Sequence, residues 1–121
     1  MKDIKDYEGL YAVTEDGRVW SYRRKKYKSA YLDPDGYLRI TLFKDGKAKT
    51  YLLHRIVANS FLPNPDNLEQ VHHKNGIRSD ASVENLQWVS SNKNLAYMYA
   101  EQLNKWGVYV DWSQVEEVPH D

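Results

Sequence analysis

An Asp-Gly pair recurs three times in the first half of the chain, at Asp16-Gly17, Asp35-Gly36 and Asp45-Gly46. Asp-Gly between short apolar runs is a hairpin signal, because tight turns need positive φ, which glycine adopts without strain. The runs between these turns are too short for stable helices and alternate as strands do. Leu10-Tyr11-Ala12-Val13 and Arg18-Val19-Trp20-Ser21 flank the first turn. Tyr37-Leu38-Arg39-Ile40-Thr41-Leu42-Phe43 follows the second, with Leu38, Ile40 and Leu42 on one face and Arg39 and Thr41 on the other. Ala48 to Leu52 is the return strand after the third. The first half is therefore expected to be a small antiparallel β-sheet.

The pattern changes at Leu53. Leu53, Ile56, Val57, Ser60 and Phe61 fall at helical spacing, and the prolines at 63 and 65 end that helix. Glu69-Gln70-Val71-His72-His73 reads as a short strand, 74–82 as a polar loop and Leu86-Gln87-Trp88-Val89 as a second strand. A helix is expected from Ser90 or Ser91 to about Lys105, stopped by Gly107, with an acidic tail beyond. The fold class that follows is α+β.

Composition removes several chemistries. There is no cysteine, so disulfide frameworks, thiolate zinc fingers, iron–sulfur clusters and thiol catalysis are excluded. No apolar run approaches the ~18 residues of a membrane-spanning helix, and the polar N-terminus is no secretory signal, so no membrane partner is expected. Net charge is zero, but it is unevenly placed. Residues 17–55 hold eleven cationic and three anionic side chains, a surplus of eight, offset by acidic ends. The densest run, Arg23-Arg24-Lys25-Lys26-Tyr27-Lys28, is either a solvated loop or a phosphate-contacting surface. Arg39, Lys44, Lys47 and Lys49 are expected to share a sheet face near it.

Residues 69–105 read as strand, loop, strand, helix, with His72-His73 closing the first strand, Asn85 opening the second and Asn94 in the first turns of the helix. The stretches Gln70-Val71-His72-His73-Lys74-Asn75-Gly76, Val83-Glu84-Asn85-Leu86-Gln87-Trp88-Val89-Ser90 and Asn94 resemble the HNH endonuclease motif, whose fold is the ββα-metal (His-Me) finger. His54-Arg55-Ile56-Val57-Ala58-Asn59-Ser60-Phe61-Leu62-Pro63-Asn64-Pro65 is similar to the helix that precedes this motif in phage and intron homing endonucleases. Tyr7-Glu8-Gly9-Leu10-Tyr11-Ala12-Val13-Thr14, Gly17-Arg18-Val19-Trp20-Ser21 and Gly36-Tyr37-Leu38-Arg39-Ile40-Thr41-Leu42 resemble the modular DNA-binding domain upstream of it.

The resemblance implies a division at 1–53 (modular β domain), 54–106 (nuclease core) and 107–121 (acidic tail). It implies a metal-dependent DNA endonuclease, with His73 as general base, His72 and Asn94 as metal ligands, and Asn85 organising the loop and helping to hold the base or the scissile phosphate. Imidazole suits the base because its ordinary pKa, near 6.5, lets it accept a proton from water at neutral pH. DNA contacts are expected from Arg23, Arg24, Lys25, Lys26, Lys28, Arg39, Lys74 and Arg78. His72 stands where phage relatives usually carry Asp or Asn, and a His-His pair is similar to the nuclease colicins. Mg²⁺ or Mn²⁺ is expected, with Ni²⁺ or Zn²⁺ also suited to the nitrogen ligand. No small-molecule cofactor is expected, nor a helix-turn-helix specificity module after the nuclease. The protein is expected to be a monomer or weak homodimer, phage-encoded and cytoplasmic in the bacterial host. The alternatives are an inactive DNA-binding protein on the same scaffold and a phage protein-interaction factor. His54 reads as a hydrogen-bonding structural residue at a helix start, and Trp88 and Phe61 as core.

Overall fold

The computed structural model describes residues 1–92 and Ala96. Within them the chain forms three antiparallel sheets and one complete α-helix, the α+β class that the sequence implies. The first sheet pairs β1 (Lys2–Asp3), β2 (Tyr11–Val13), β3 (Val19–Ser21) and β4 (Lys26–Lys28) in chain order. The second pairs β5 (Tyr31–Leu32), β6 (Leu38–Lys44) and β7 (Lys47–Leu52). Helix α1 (Leu53–Phe61) follows at once, and β8 (Gln70–His73) then pairs with β9 (Leu86–Val89).

All three Asp-Gly turns form. The third is the tightest: Lys44 pairs with Lys47, leaving Asp45 (φ 53°) and Gly46 (φ 75°) as a two-residue loop. Positive φ at both positions is the turn whose twist matches the flanking strands. In the second turn Asp33 Oδ1 accepts from the amides of Asp35 (2.9 Å) and Tyr37 (3.0 Å). Its Oδ2 accepts from Arg39 Nε at 2.7 Å. Arg39 is thus paired with the turn and is not a free cation on an open face.

The first turn has a longer-range task. Gly17 (φ +82°) lies so close to the loop before β9 that a Cβ there would stand 3.0 Å from the Ala81 carbonyl oxygen. The Val83 amide donates to the Glu15 carbonyl at 2.8 Å. The N-terminal hairpin therefore seats the loop that leads to Asn85.

Alternation on β6 works as its pattern implies, with Ile40 and Leu42 fully buried. Val13, Val19, Leu53, Val57 and Leu86 are fully buried with them, so both halves of the chain share one apolar cluster. Each such side chain contributes roughly 1.5–3 kcal/mol of burial free energy. Helix α1 turns Leu53, Ile56 and Val57 inward and ends where Pro63 forbids continuation, its last turn closed by Leu62 N–H donating to the Ala58 carbonyl (3.0 Å). Arg55 clamps the helix to the β8–β9 sheet: its Nη1 donates to the Glu69 carbonyl (3.0 Å) and its guanidinium lies 5.6 Å from the Trp88 ring centroid. Trp88 is half-buried and donates through Nε1 to the Leu62 carbonyl (3.2 Å), and Phe61 packs against the same cluster.

Two local expectations change, and a third falls mostly outside the described residues. Part of the charge run is strand: Lys26–Lys28 pairs with β3, which neither hydropathy nor propensity marks. Asn85 does not open the second strand but ends a short 3-10 turn (Val83–Asn85) just before it. Ser91, Asn92 and Ala96 are helical, but the rest of the expected second helix, including Asn94, and the acidic tail lie outside the described residues.

Candidate active site

The end of β8 carries two adjacent histidines, both buried at 5% exposure. A regular strand sends neighbouring side chains to opposite faces, and their contacts differ accordingly. His72 lies opposite Gln87 in the ladder, its Nδ1 3.0 Å from Gln87 Nε2. His73 lies opposite Leu86 and turns toward α1 and Tyr37. Its ring is 4.7 Å from that of His54, at 68°, and 5.7 Å from that of Tyr37. The strand ends there: Gly76 N–H donates to the His73 carbonyl at 2.9 Å, closing a turn over Lys74 and Asn75.

The loop from Lys74 to Asn85 is held by three side chains. Asn85, buried, accepts at Oδ1 from the Asn75 amide (2.9 Å) and donates through Nδ2 to the Asp80 carbonyl (3.0 Å). Its own carbonyl accepts from Lys74 N–H at 2.7 Å. Asp80 accepts from Ser82 Oγ (2.6 Å) and from Asn75 Nδ2 (3.0 Å). Asn75 Oδ1 in turn accepts from the Ile77 amide (2.8 Å). Asn85 therefore engages loop backbone through both atoms of its amide.

Burial disfavours the charged form of each histidine here. It pushes His72 down to about 4, with the neighbouring His73 adding to the effect. It pushes His54 down to about 3, again with help from His73 and from Arg55. Burial lowers His73 as well; Asp80 opposes the shift and Arg78 adds to it. All three imidazoles are neutral at pH 7, which is the form that accepts protons or binds metals.

The donor set fits a divalent ion in one respect. His72 is an imidazole, a ligand type that divalent ions accept, and its Nδ1 faces the donor nitrogen of the Gln87 side-chain amide at 3.0 Å. Among the described residues no three His, Asp or Glu side chains converge into a metal cluster, and Asn94, the other expected ligand, lies outside them.

The cations expected to meet DNA divide into groups. Arg23, Arg24, Lys26 and Lys28 line an open cleft of about 880 Å³ between β3–β4 and the β6–β7 turn, shared with Tyr27, Phe43 and Lys44. Lys25 is exposed at the turn before β4, at φ 52°. Lys28 Nζ stands 4.9 Å from the Phe43 ring centroid. Lys74 and Arg78 are exposed on the loop beside His73. Arg78 lies 5.2 Å from the Tyr37 ring centroid and donates to the Asp35 carbonyl at 3.0 Å. Arg39 belongs to neither group.

A model described as HNH endonuclease matches residues 51–96, and one described as NUMOD4 motif matches residues 2–43. The chain carries an HNH endonuclease domain and a NUMOD4 motif. It is homologous to DNA endonuclease I-HmuI of Bacillus phage SP01, 42% identical over 94 residues, which cover 78% of this chain and 54% of that protein. H-N-H endonuclease F-TflI of Escherichia phage T5 is 40% identical over 90 residues, covering 72% of this chain and 45% of its own length. A structure of DNA binding and cleavage by the HNH homing endonuclease I-HmuI superposes with a TM-score of 0.71 at 36% identity. That match covers 93% of this chain and 62% of the other. The chain spans about half the length, or less, of the curated relatives it matches.

Four residues that shape the site are not marked as such by the sequence: His54, Asp80 and Gln87 within the HNH domain, and Tyr37 within the NUMOD4 segment. His54 reads only as a helix-start residue, because its ring contact with His73 depends on how α1 packs on β8. Gln87 is paired with His72 only by the β8–β9 register. Asp80 carries one usable signal, since an Asp side chain in a loop often accepts from the backbone N–H two residues on, as Asp80 does from Ser82 (3.2 Å).

Proposed function

We propose that this HNH domain is a metal-dependent DNA endonuclease that hydrolyses phosphodiester bonds. The observation that carries the reading is a buried, neutral His73 at a strand end, beside a loop pinned by Asn85, within the segment matched by the HNH endonuclease model. Relatives named as DNA endonucleases support it.

In this reading His73 takes a proton from a water whose oxygen forms a bond to phosphorus, while the bond from phosphorus to a sugar oxygen breaks. Imidazole suits the step because it is uncharged at pH 7 and gains a proton only as the oxygen–phosphorus bond forms. His72 and Asn94 would hold one divalent ion, Mg²⁺ or Mn²⁺, with Ni²⁺ or Zn²⁺ also suited to the nitrogen ligand, and such an ion would supply positive charge to the phosphate and the departing oxygen. Asn85 acts as a positioning residue, keeping the strand-end turn at 74–76 fixed. Lys74 and Arg78 supply positive charge at the rim. Arg23, Arg24, Lys25, Lys26 and Lys28 hold the DNA backbone, with no base reading required of them. One site per chain cuts one strand; a weak homodimer or two successive events would cut both. The setting is the cytoplasm of a phage-infected bacterium.

The test is conversion of supercoiled plasmid to open-circular form with Mg²⁺, Mn²⁺, Ni²⁺ or Zn²⁺ added singly. Cutting is expected with at least one ion, and His73→Ala should lower it by roughly 10²- to 10⁴-fold while DNA affinity stays the same. Salt-sensitive DNA binding without cutting by any ion would sink the enzyme and leave a binding protein. Absence of DNA binding at low salt would leave a protein partner instead.

A further inference from the structure

His54 Nδ1 and His73 Nε2 are both buried, and neither finds a hydrogen-bond partner among the described residues. Buried polar atoms are rarely left that way, so each calls for a physical account. The two rings touch, with centroids 4.7 Å apart and planes at 68°. Tyr37 packs on both, 5.3 Å from His54 and 5.7 Å from His73, and Arg78 covers Tyr37. A neutral imidazole has one N–H donor and one lone-pair acceptor, so two such rings are complementary. Ring nitrogens sit on the perimeter, so 4.7 Å between centroids places an N–H···N bond of about 3 Å within reach of a modest turn about the soft χ2 torsions.

We propose that His54 and His73 form a histidine dyad in which His73 Nε2–H donates to His54 Nδ1, making His54 the positioning residue of the general base. This rests on His73 being that base. The direction of the bond follows from access. Nε2 of His73 is shut off from solvent, so water must meet Nδ1, and Nδ1 can take a proton only if the ring's own hydrogen sits on Nε2. The opposite arrangement, with His54 donating, would put the hydrogen of His73 on Nδ1 and close that route. As His73 gains its second proton, the Nε2–H bond to His54 becomes charge-assisted and strengthens as the reaction proceeds. His54 thus has the orienting task that carboxylates or carbonyls perform beside other catalytic imidazoles.

The test joins a spectroscopic reading to kinetics on the full chain. In protein labelled with ¹⁵N at histidine, the two ring nitrogens of His73 report its tautomer directly. The dyad requires the Nε2–H form, slow exchange of that hydrogen with solvent, and nitrogen–nitrogen coupling to His54. His54→Phe keeps a ring of similar shape and removes the acceptor. His54→Asn keeps an oxygen near the position of Nδ1. The Phe variant should lose roughly 10- to 100-fold in kcat with KM unchanged, and His73 should then populate both tautomers. The Asn variant should recover most of the rate and the Nε2–H tautomer, which a purely packing role would not do. An Nδ1–H tautomer in the wild type, or a Phe variant that cuts at the wild-type rate, overturns the dyad. If the Phe variant does not fold, the wild-type spectrum and the Asn variant decide. If the wild type cuts nothing, the nuclease reading fails, while the tautomer and coupling still establish or refute the bond.

Discussion

The basic cleft and the histidine strand are built on opposite principles. The cleft between β3–β4 and the β6–β7 turn presents long cations on exposed strands and turns, with Lys28 over Phe43 and Lys44 donating to the Asp6 carbonyl (2.6 Å). The site at the end of β8 buries its chemistry: three neutral imidazoles, each almost closed to solvent, beside a loop whose backbone is pinned by the buried Asn85 amide. Exposed charges act at a distance, tolerate imprecise placement and are screened by salt. Neutral ring nitrogens act only in contact, so their geometry must be held by packing. One region is suited to gathering a polyanion and the other to one proton transfer.

The largest effect that separates them is electrostatic. Replacing Arg23, Arg24 and Lys26 together by Ala should lower the slope of log affinity for DNA against log salt by roughly 2 to 3, at about 0.9 for each phosphate no longer neutralised. It should leave the rate at saturating DNA close to wild type. Fluorescence anisotropy over a salt series measures the first, and plasmid nicking the second. A variant that binds normally but cuts slowly would erase the distinction between the two regions.

A smaller effect should come from the loop. Asn85→Ala leaves the Asn75 amide and the Asp80 carbonyl without their partner. A cost of about 1–3 kcal/mol follows from the unpaired groups, read as a lower urea midpoint. Cutting should fall with it, and the salt slope of DNA binding should not move. A changed slope with unchanged stability would mean that Asn85 touches the nucleic acid after all.

Acid should expose the burial of the imidazoles, gradually with pH. The unfolded chain binds a proton at His54 near pH 6.5, whereas the folded chain holds that group down to about 3. Stability from this depressed group is present above pH ~6.5 and declines as pH falls toward ~3, by roughly 1.4 kcal/mol per pH unit. His72, held down to about 4, adds to the same trend. Denaturation curves over this range check it, and His54→Phe should make the decline shallower. A decline as steep in that variant would place the acid sensitivity elsewhere.

Much of the fold is legible in the residues taken in order. Three Asp-Gly pairs mark the hairpins, alternation at Leu38, Ile40 and Leu42 marks the inner face of β6, and Pro63 marks the end of α1. These are short-range effects of backbone sterics and side-chain period, carried by neighbours along the chain. The short strand Lys26–Lys28 has no such mark, because its only merit is an edge of β3 to pair with.

The histidines divide in the same way. Residue content alone excludes thiolate as a ligand or nucleophile, and residue order places two adjacent histidines at the end of a strand. The same order concentrates positive charge before residue 56. Packing in three dimensions is what binds Arg39 to Asp33, seats the loop before Asn85 on Gly17 and lays His54 against His73. Those outcomes depend on where α1, β8 and the first hairpin meet. Contacts between residues far apart in the chain are set by the packing of whole elements, which no local pattern encodes.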